Sequence, residues 1–141
     1  MEEYTPVDED FPGRLLHQAA LWDNAELLED LLRGEYSDYI NSQDSWGRTA
    51  LHAAAITENS RCIEVLLRAG ANASIPCGPR GQYRLPLHIC AEHGNAKNIE
   101  KLLEYSANLM VTDSNGLTAL RICENNDNVR CCQILKAAAK R

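Results

Sequence analysis

A six-residue phrase, Thr49-Ala50-Leu51-His52-Ala53-Ala54, returns in altered form three more times along the chain. The other copies lie in Arg14-Leu15-Leu16-His17-Gln18-Ala19-Ala20, Leu85-Pro86-Leu87-His88-Ile89-Cys90-Ala91 and Thr118-Ala119-Leu120-Arg121-Ile122-Cys123. Between the equivalent His17, His52, His88 and Arg121 the separations are 35, 36 and 33 residues. A unit of that size cannot enclose a core of its own. It buries an apolar face only against the copies before and after it, so a chain that repeats at this interval is constrained to stack.

The residues inside one copy say what is stacked. Leu16, Ala19 and Ala20 lie at helical spacing, and Leu27, Leu28, Leu31 and Leu32 make a second apolar stripe, so each unit reads as a helix pair. Small residues in the first helices, Ala19, Ala54 and Ala91, permit close approach of neighbouring units. Thr49 and Thr118 stand where a side-chain oxygen takes an unpaired helical N–H, and Pro86 stands where no donor is needed. Gly34 and Gly70 follow the second helices and are expected to end them in the left-handed region. Polar turns at Asn41 to Asp44, Pro76 to Gln82 and Asp113 to Gly116 read as hairpin-like fingers between units.

The second copy resembles the ankyrin repeat at Asp44, Gly47, Thr49, Leu51, His52, Ala54 and Ala55, then at Val65-Leu66-Leu67 and Gly70-Ala71. Departures are Pro12 and Tyr83 at the turn glycine, Arg121 at the histidine, and Glu58-Asn59 where Gly-His is usual. The resemblance implies an all-α ankyrin-repeat solenoid of about four repeats, near residues 11–43, 44–79, 80–112 and 113–141, after an acidic lead at 1–10. It further implies a non-catalytic module that binds another protein or peptide segment. The family's finger tips and first helices form the concave surface used for this.

Composition narrows the partners. A net charge of −6 opposes nonspecific binding to nucleic acid or an anionic membrane, both of which need clustered positive charge. No run approaches the ~18 apolar residues of a membrane span, and the acidic start is unlike a signal peptide. A monomeric array in the cytoplasm, or the nucleus, is expected, with its six cysteines reduced. Cys90 and Cys123 occupy small-residue positions of first helices, and Cys62 and Cys132 fall in second helices. Cys77, in the loop from Pro76 to Gly81, is expected to be exposed.

The recurring histidines invite a metal or catalytic reading, and their regularity opposes it. Repeat-equivalent residues are separated by about 10 Å per unit, whereas zinc ligands converge on one ion at ~2.0–2.1 Å. The family role of this histidine is a hydrogen bond around the turn. His88 and Cys90 point to different helix faces, which opposes a Cys-His nucleophile, and Gly-rich phosphate loops, HExxH and GxSxG are all missing. No catalytic residue, metal ligand or cofactor is expected.

Mapping the variable positions of the resemblance onto this chain selects Leu21, Trp22, Trp46, Arg48, Ile56, Tyr83, Arg84 and His93 as partner-binding residues. Large aromatic and Arg side chains carry much of the energy of interfaces. Packing of Trp22 and Trp46 on the preceding arm, with Phe11 or Tyr4, is the structural alternative. The loop from Ala73 to Tyr83 is about three residues longer than a standard finger, and its Arg80 and Arg84 could grip a carboxylate. At the far end, Val129, Cys132 and Leu135 form one stripe beside Cys131 and Ile134. If the flanking apolar residues are open, the chain continues past Arg141 or meets a partner there. An intramolecular module that clamps another domain, or more weakly a Cys- or metal-dependent enzyme, remain the other readings.

Overall fold

The computed structural model describes residues 11–105 and 107–140. Among them are eight α-helices and no strand: α1 (Arg14–Leu21), α2 (Ala25–Arg33), α3 (Ala50–Ile56), α4 (Arg61–Arg68), α5 (Pro86–His93), α6 (Ala96–Glu104), α7 (Ala119–Asn125) and α8 (Val129–Ala139). They form four pairs stacked in two rows. The first helices pack α1 on α3, α3 on α5 and α5 on α7, and the second helices pack α2 on α4, α4 on α6 and α6 on α8.

Side-chain size decides which row is tight. Ala19, Ala20, Ala53, Ala54, Ala55, Cys90, Ala91 and Cys123 are fully buried along the inner row. Leu28, Ile63, Leu66, Ile99, Leu102 and Leu135 fill the space between that row and the outer helices. Each such aliphatic side chain contributes roughly 1.5–3 kcal/mol when buried.

Helix ends follow local chemistry. Asn24, Thr49, Thr118 and Asn128 accept N–H groups of the first turn that would otherwise be unpaired, and Pro86 opens α5. Gly70 adopts φ +95° after α4, as expected. Gly34 does not: at φ −100° it leads into a 3-10 turn over Glu35–Tyr39 before the second finger, Asp44 to Arg48. That turn explains the unequal periods. From Arg33 to Asp44 is two residues more than from Arg68 to Cys77 or from Glu104 to Asp113. The third finger, Cys77 to Arg84, is three longer than Asp44 to Arg48 or Asp113 to Leu117. A 33-residue unit therefore becomes 35 in the first period and 36 in the second. The third finger lies on both sides of the repeat boundary expected near residue 79.

The far end also differs from expectation. The packed stripe of α8 is Cys131 and Leu135, four residues apart, with Ile134 and Ala138 half-buried; Val129, directly after the Asn128 cap, is 68 % exposed. Leu51, His52, Ala55, Ile63 and Leu67 of the second repeat are buried, whereas repeat four has Leu120, Arg121, Glu124, Cys132 and Lys136 at those places. Glu124 bridges Arg121 and Lys136, 3.9 Å from each. A further unit stacked on this face would bury three charges.

Candidate protein-binding surface

The fingers and first helices are held by a hydrogen-bond ladder built on the repeating histidine. Thr49 donates its N–H to His52 Nδ1 at 3.0 Å, which leaves Nε2–H to donate to the Arg84 carbonyl at 2.9 Å. Leu85 N–H, His88 and the Val111 carbonyl repeat the arrangement at 2.9 and 3.0 Å, and His17 Nε2 reaches the Ser42 carbonyl at 3.3 Å. Each ring thus fastens its helix to the chain entering or leaving the next finger. Burial outweighs the hydrogen bonds and lowers His17 and His52 to about 4, and it lowers His88 in the same direction. The rings are neutral at pH 7. Among the described residues no three His, Cys, Asp or Glu side chains are grouped to hold a metal ion.

Fingers are closed by their first and last residues. Asp44 N–H donates to the Arg48 carbonyl, Asp113 N–H to that of Leu117, and Cys77 N–H to that of Arg84. Asp44 Oδ1 accepts from the N–H of Trp46 and of Arg48, and Asp113 Oδ1 from those of Asn115 and Leu117. Cys77 occupies the aspartate position of the third finger. The long loop wraps it through a 3-10 turn at Pro79–Gly81, with Gln82 and Tyr83 both at positive φ, and its thiol donates to the Gly81 carbonyl. Cys77 is therefore buried, not exposed, because three extra residues curl over it where a carboxylate would have organised a short turn. Burial raises its thiol above the ordinary value, as it does those of Cys90 and Cys131, and it pushes Cys62 and Cys123 up to about 12.

Two of the expected contact residues are committed to the fold. Arg48 is buried, its Nε 2.9 Å from Asp44 Oδ2. Arg84 is 3.1 Å from Asp113 and 3.6 Å from Glu92, so it does not extend from the loop to grip a partner. Trp46 is half-buried, with the guanidinium groups of Arg48 and Arg80 4.8 and 5.3 Å from its ring centre, and its carbonyl accepts from Gly78 N–H at 2.7 Å. It joins the second finger to the third. Phe11 packs edge-on against His17 at 4.7 Å; the expectation for Tyr4 lies outside the described residues. Sequence reasoning had no signal for these pairings, since an arginine in a finger reads the same whether its carboxylate is across a groove or inside the turn.

The remaining candidates keep accessible surface. Leu21 and Ile56 are half-buried at the C-terminal ends of α1 and α3, and His93 is exposed at the equivalent end of α5. Trp22 is 65 % exposed and Tyr83, on the third finger, 48 %. Glu92 and Asn126 were not selected from the sequence, yet they stiffen this edge: Asn126 Nδ2 donates to Glu92 Oε2 at 2.9 Å and to its carbonyl at 3.2 Å. What the edge offers is a row with aromatic groups at one end and on a finger, and the Glu92 carboxylate between.

Comparison with known proteins agrees with this architecture. A family model described as ankyrin repeats, in three copies, matches residues 16–113. Inversin of Gallus gallus is similar, 30 % identical over 120 residues that make up 85 % of this chain and 10 % of Inversin. The chain spans about a tenth of the length of that relative. No helix among the described residues is long and apolar enough to cross a membrane. Phrase, two-row stacking, histidine ladder and matched residues agree, and the chain belongs to the ankyrin repeat family.

Proposed function

We propose that the array is a non-catalytic binding module that receives a segment of another protein along the edge formed by Trp22, Ile56, His93 and the third finger at Tyr83. The observation that carries this reading is the exposure of Trp22 and Tyr83 on a frame whose fingers are locked by buried hydrogen bonds. Aromatic side chains on a prearranged surface gain contact area at little cost in ordering, which is how a few residues come to dominate an interface. Ankyrin repeats are generally protein-interaction modules, and family membership points the same way. A scaffold or adaptor role within a larger polypeptide of the cytoplasm or nucleus fits a monomeric module of this kind.

The test is affinity capture from a cell lysate by the wild-type chain beside an Ile56→Ala, Tyr83→Asn, His93→Ala variant. Asparagine is chosen at Tyr83 because its φ of 55° is tolerated by Asn and strained for most residues. A variant with unchanged circular dichroism and thermal midpoint should lose specific partners. Undiminished capture by the folded variant would place binding elsewhere.

A further inference from the structure

The two ends of the stack are chemically unlike. Leu27 of α2 stands where later repeats have Cys62, Asn98 and Cys131, all fully buried. That position faces the preceding unit: Cys62 Sγ donates to Asp23 at 3.8 Å and Asn98 Nδ2 to the Thr57 carbonyl at 2.9 Å. With no described unit before it, Leu27 is 37 % exposed. Leu31 and Leu15 are half-buried where Leu66, Leu102 and Leu135, and Ala50, Pro86 and Ala119, are buried. Trp22 lies seven residues after Leu15 and continues its face of α1. Glu26 and Asp30 lie four apart on α2 at the border of this apolar surface, both exposed, Asp30 accepting from the exposed Arg33 at 3.0 Å.

Charge says what can cover it. Residues 1–38 hold eleven Asp and Glu against two Lys and Arg, a net −9, whereas the whole chain is −6. A second copy placed end to end would oppose acid to acid. Placed head to tail it would bury the Arg121, Glu124 and Lys136 cluster. The lead at 1–10 carries five acidic side chains and no Lys or Arg, so it lacks the charge complementary to Glu26 and Asp30. We propose that the open end of the first repeat, Leu15, Trp22, Leu27 and Leu31 edged by Glu26 and Asp30, docks a basic amphipathic helix of another protein. The helix would lie where a preceding repeat's helices would lie, its apolar stripe on the leucines and its lysines or arginines on the acidic edge. This surface is separate from the concave edge except at Trp22.

The probe is a fluorescein-labelled 14-residue helical peptide of leucine and lysine, with a leucine–glutamate peptide of the same pattern as control, titrated into the full chain by fluorescence anisotropy. Saturable one-to-one binding of the lysine peptide, weakened by salt, is expected, with little binding of the glutamate peptide. Leu27→Glu, and separately Glu26→Lys with Asp30→Lys, should weaken it by at least about tenfold. Both changes are at exposed positions, so the fold should survive them, and Ile56→Ala with Tyr83→Asn should leave this affinity unchanged. Equal affinity in all variants, or equal binding of the acidic peptide, would overturn the proposal. So would tighter binding after removal of residues 1–10, which would show the lead occupying the face, or a wild-type dimer in sedimentation that Leu27→Glu dissociates.

Discussion

Arg84 Nε donates across a repeat boundary to Asp113 Oδ2 at 3.1 Å, whereas Arg48, at the equivalent place one repeat earlier, closes on Asp44 of its own finger at 2.9 Å. The difference has a single cause. The third finger has Cys77 where the others have aspartate, so Arg84 has no carboxylate at home and takes the next one. Burial by itself would raise Asp113; hydrogen bonds from Leu117 N–H, Arg84 and Asn115 N–H outweigh it and hold the carboxyl below its usual range.

Arg84→Ala should therefore loosen the junction of repeats three and four. It leaves a buried carboxylate with only its backbone donors, and the expected loss is about 2–3 kcal/mol in urea denaturation. A double-mutant cycle with Asp113→Ala should show a coupling of about 1 kcal/mol or more. Additive effects would mean the pair is incidental.

The histidines make stability depend on pH with a definite sign. His17 and His52 have folded values of about 4 against ~6.5 in an unfolded chain. Between these values the unfolded state binds more protons, so stability is full above about pH 6.5 and falls as pH falls towards 4. At pH 5 the loss should be about 2 kcal/mol per histidine. Denaturation midpoints at pH 7 and pH 5 check this, and equal midpoints would contradict it.

Glycines at the two standard fingers should respond unequally. Gly47 and Gly116 sit at φ +78° and +77°, so alanine at either costs about 1 kcal/mol in backbone strain. A Cβ at Gly47 also meets the backbone of Gly78, whereas at Gly116 nothing lies within 4 Å. Gly47→Ala should lower the thermal midpoint well beyond Gly116→Ala; similar shifts would show that the fingers are not packed together.

Thiol reagents should find Cys132 first. It is half-buried, while Cys62, Cys77, Cys90, Cys123 and Cys131 are buried. Peptide mapping after brief labelling of the folded chain should show modification at Cys132, with Cys77 labelled only on unfolding. Early labelling of Cys77 would mean that its loop opens.

The repeat phrase, its spacing and the apolar stripes were enough to specify a stack of helix pairs, because those features are local and recur: Leu16 with Ala19 and Ala20, Thr49 ahead of α3, Pro86 at the start of α5. The hydrogen-bonding role of the histidines was implied by the family resemblance, and their regular spacing already opposed a shared metal site. The fate of individual loop side chains was not readable. Whether Cys77 lies open or enclosed, whether Arg48 and Arg84 face a partner or a neighbouring aspartate, and which stripe of α8 packs all depend on contacts between residues far apart in the chain or on the rotation of one helix against another. Composition and period carry no information about these, because the same residues satisfy either arrangement until the repeats are laid side by side.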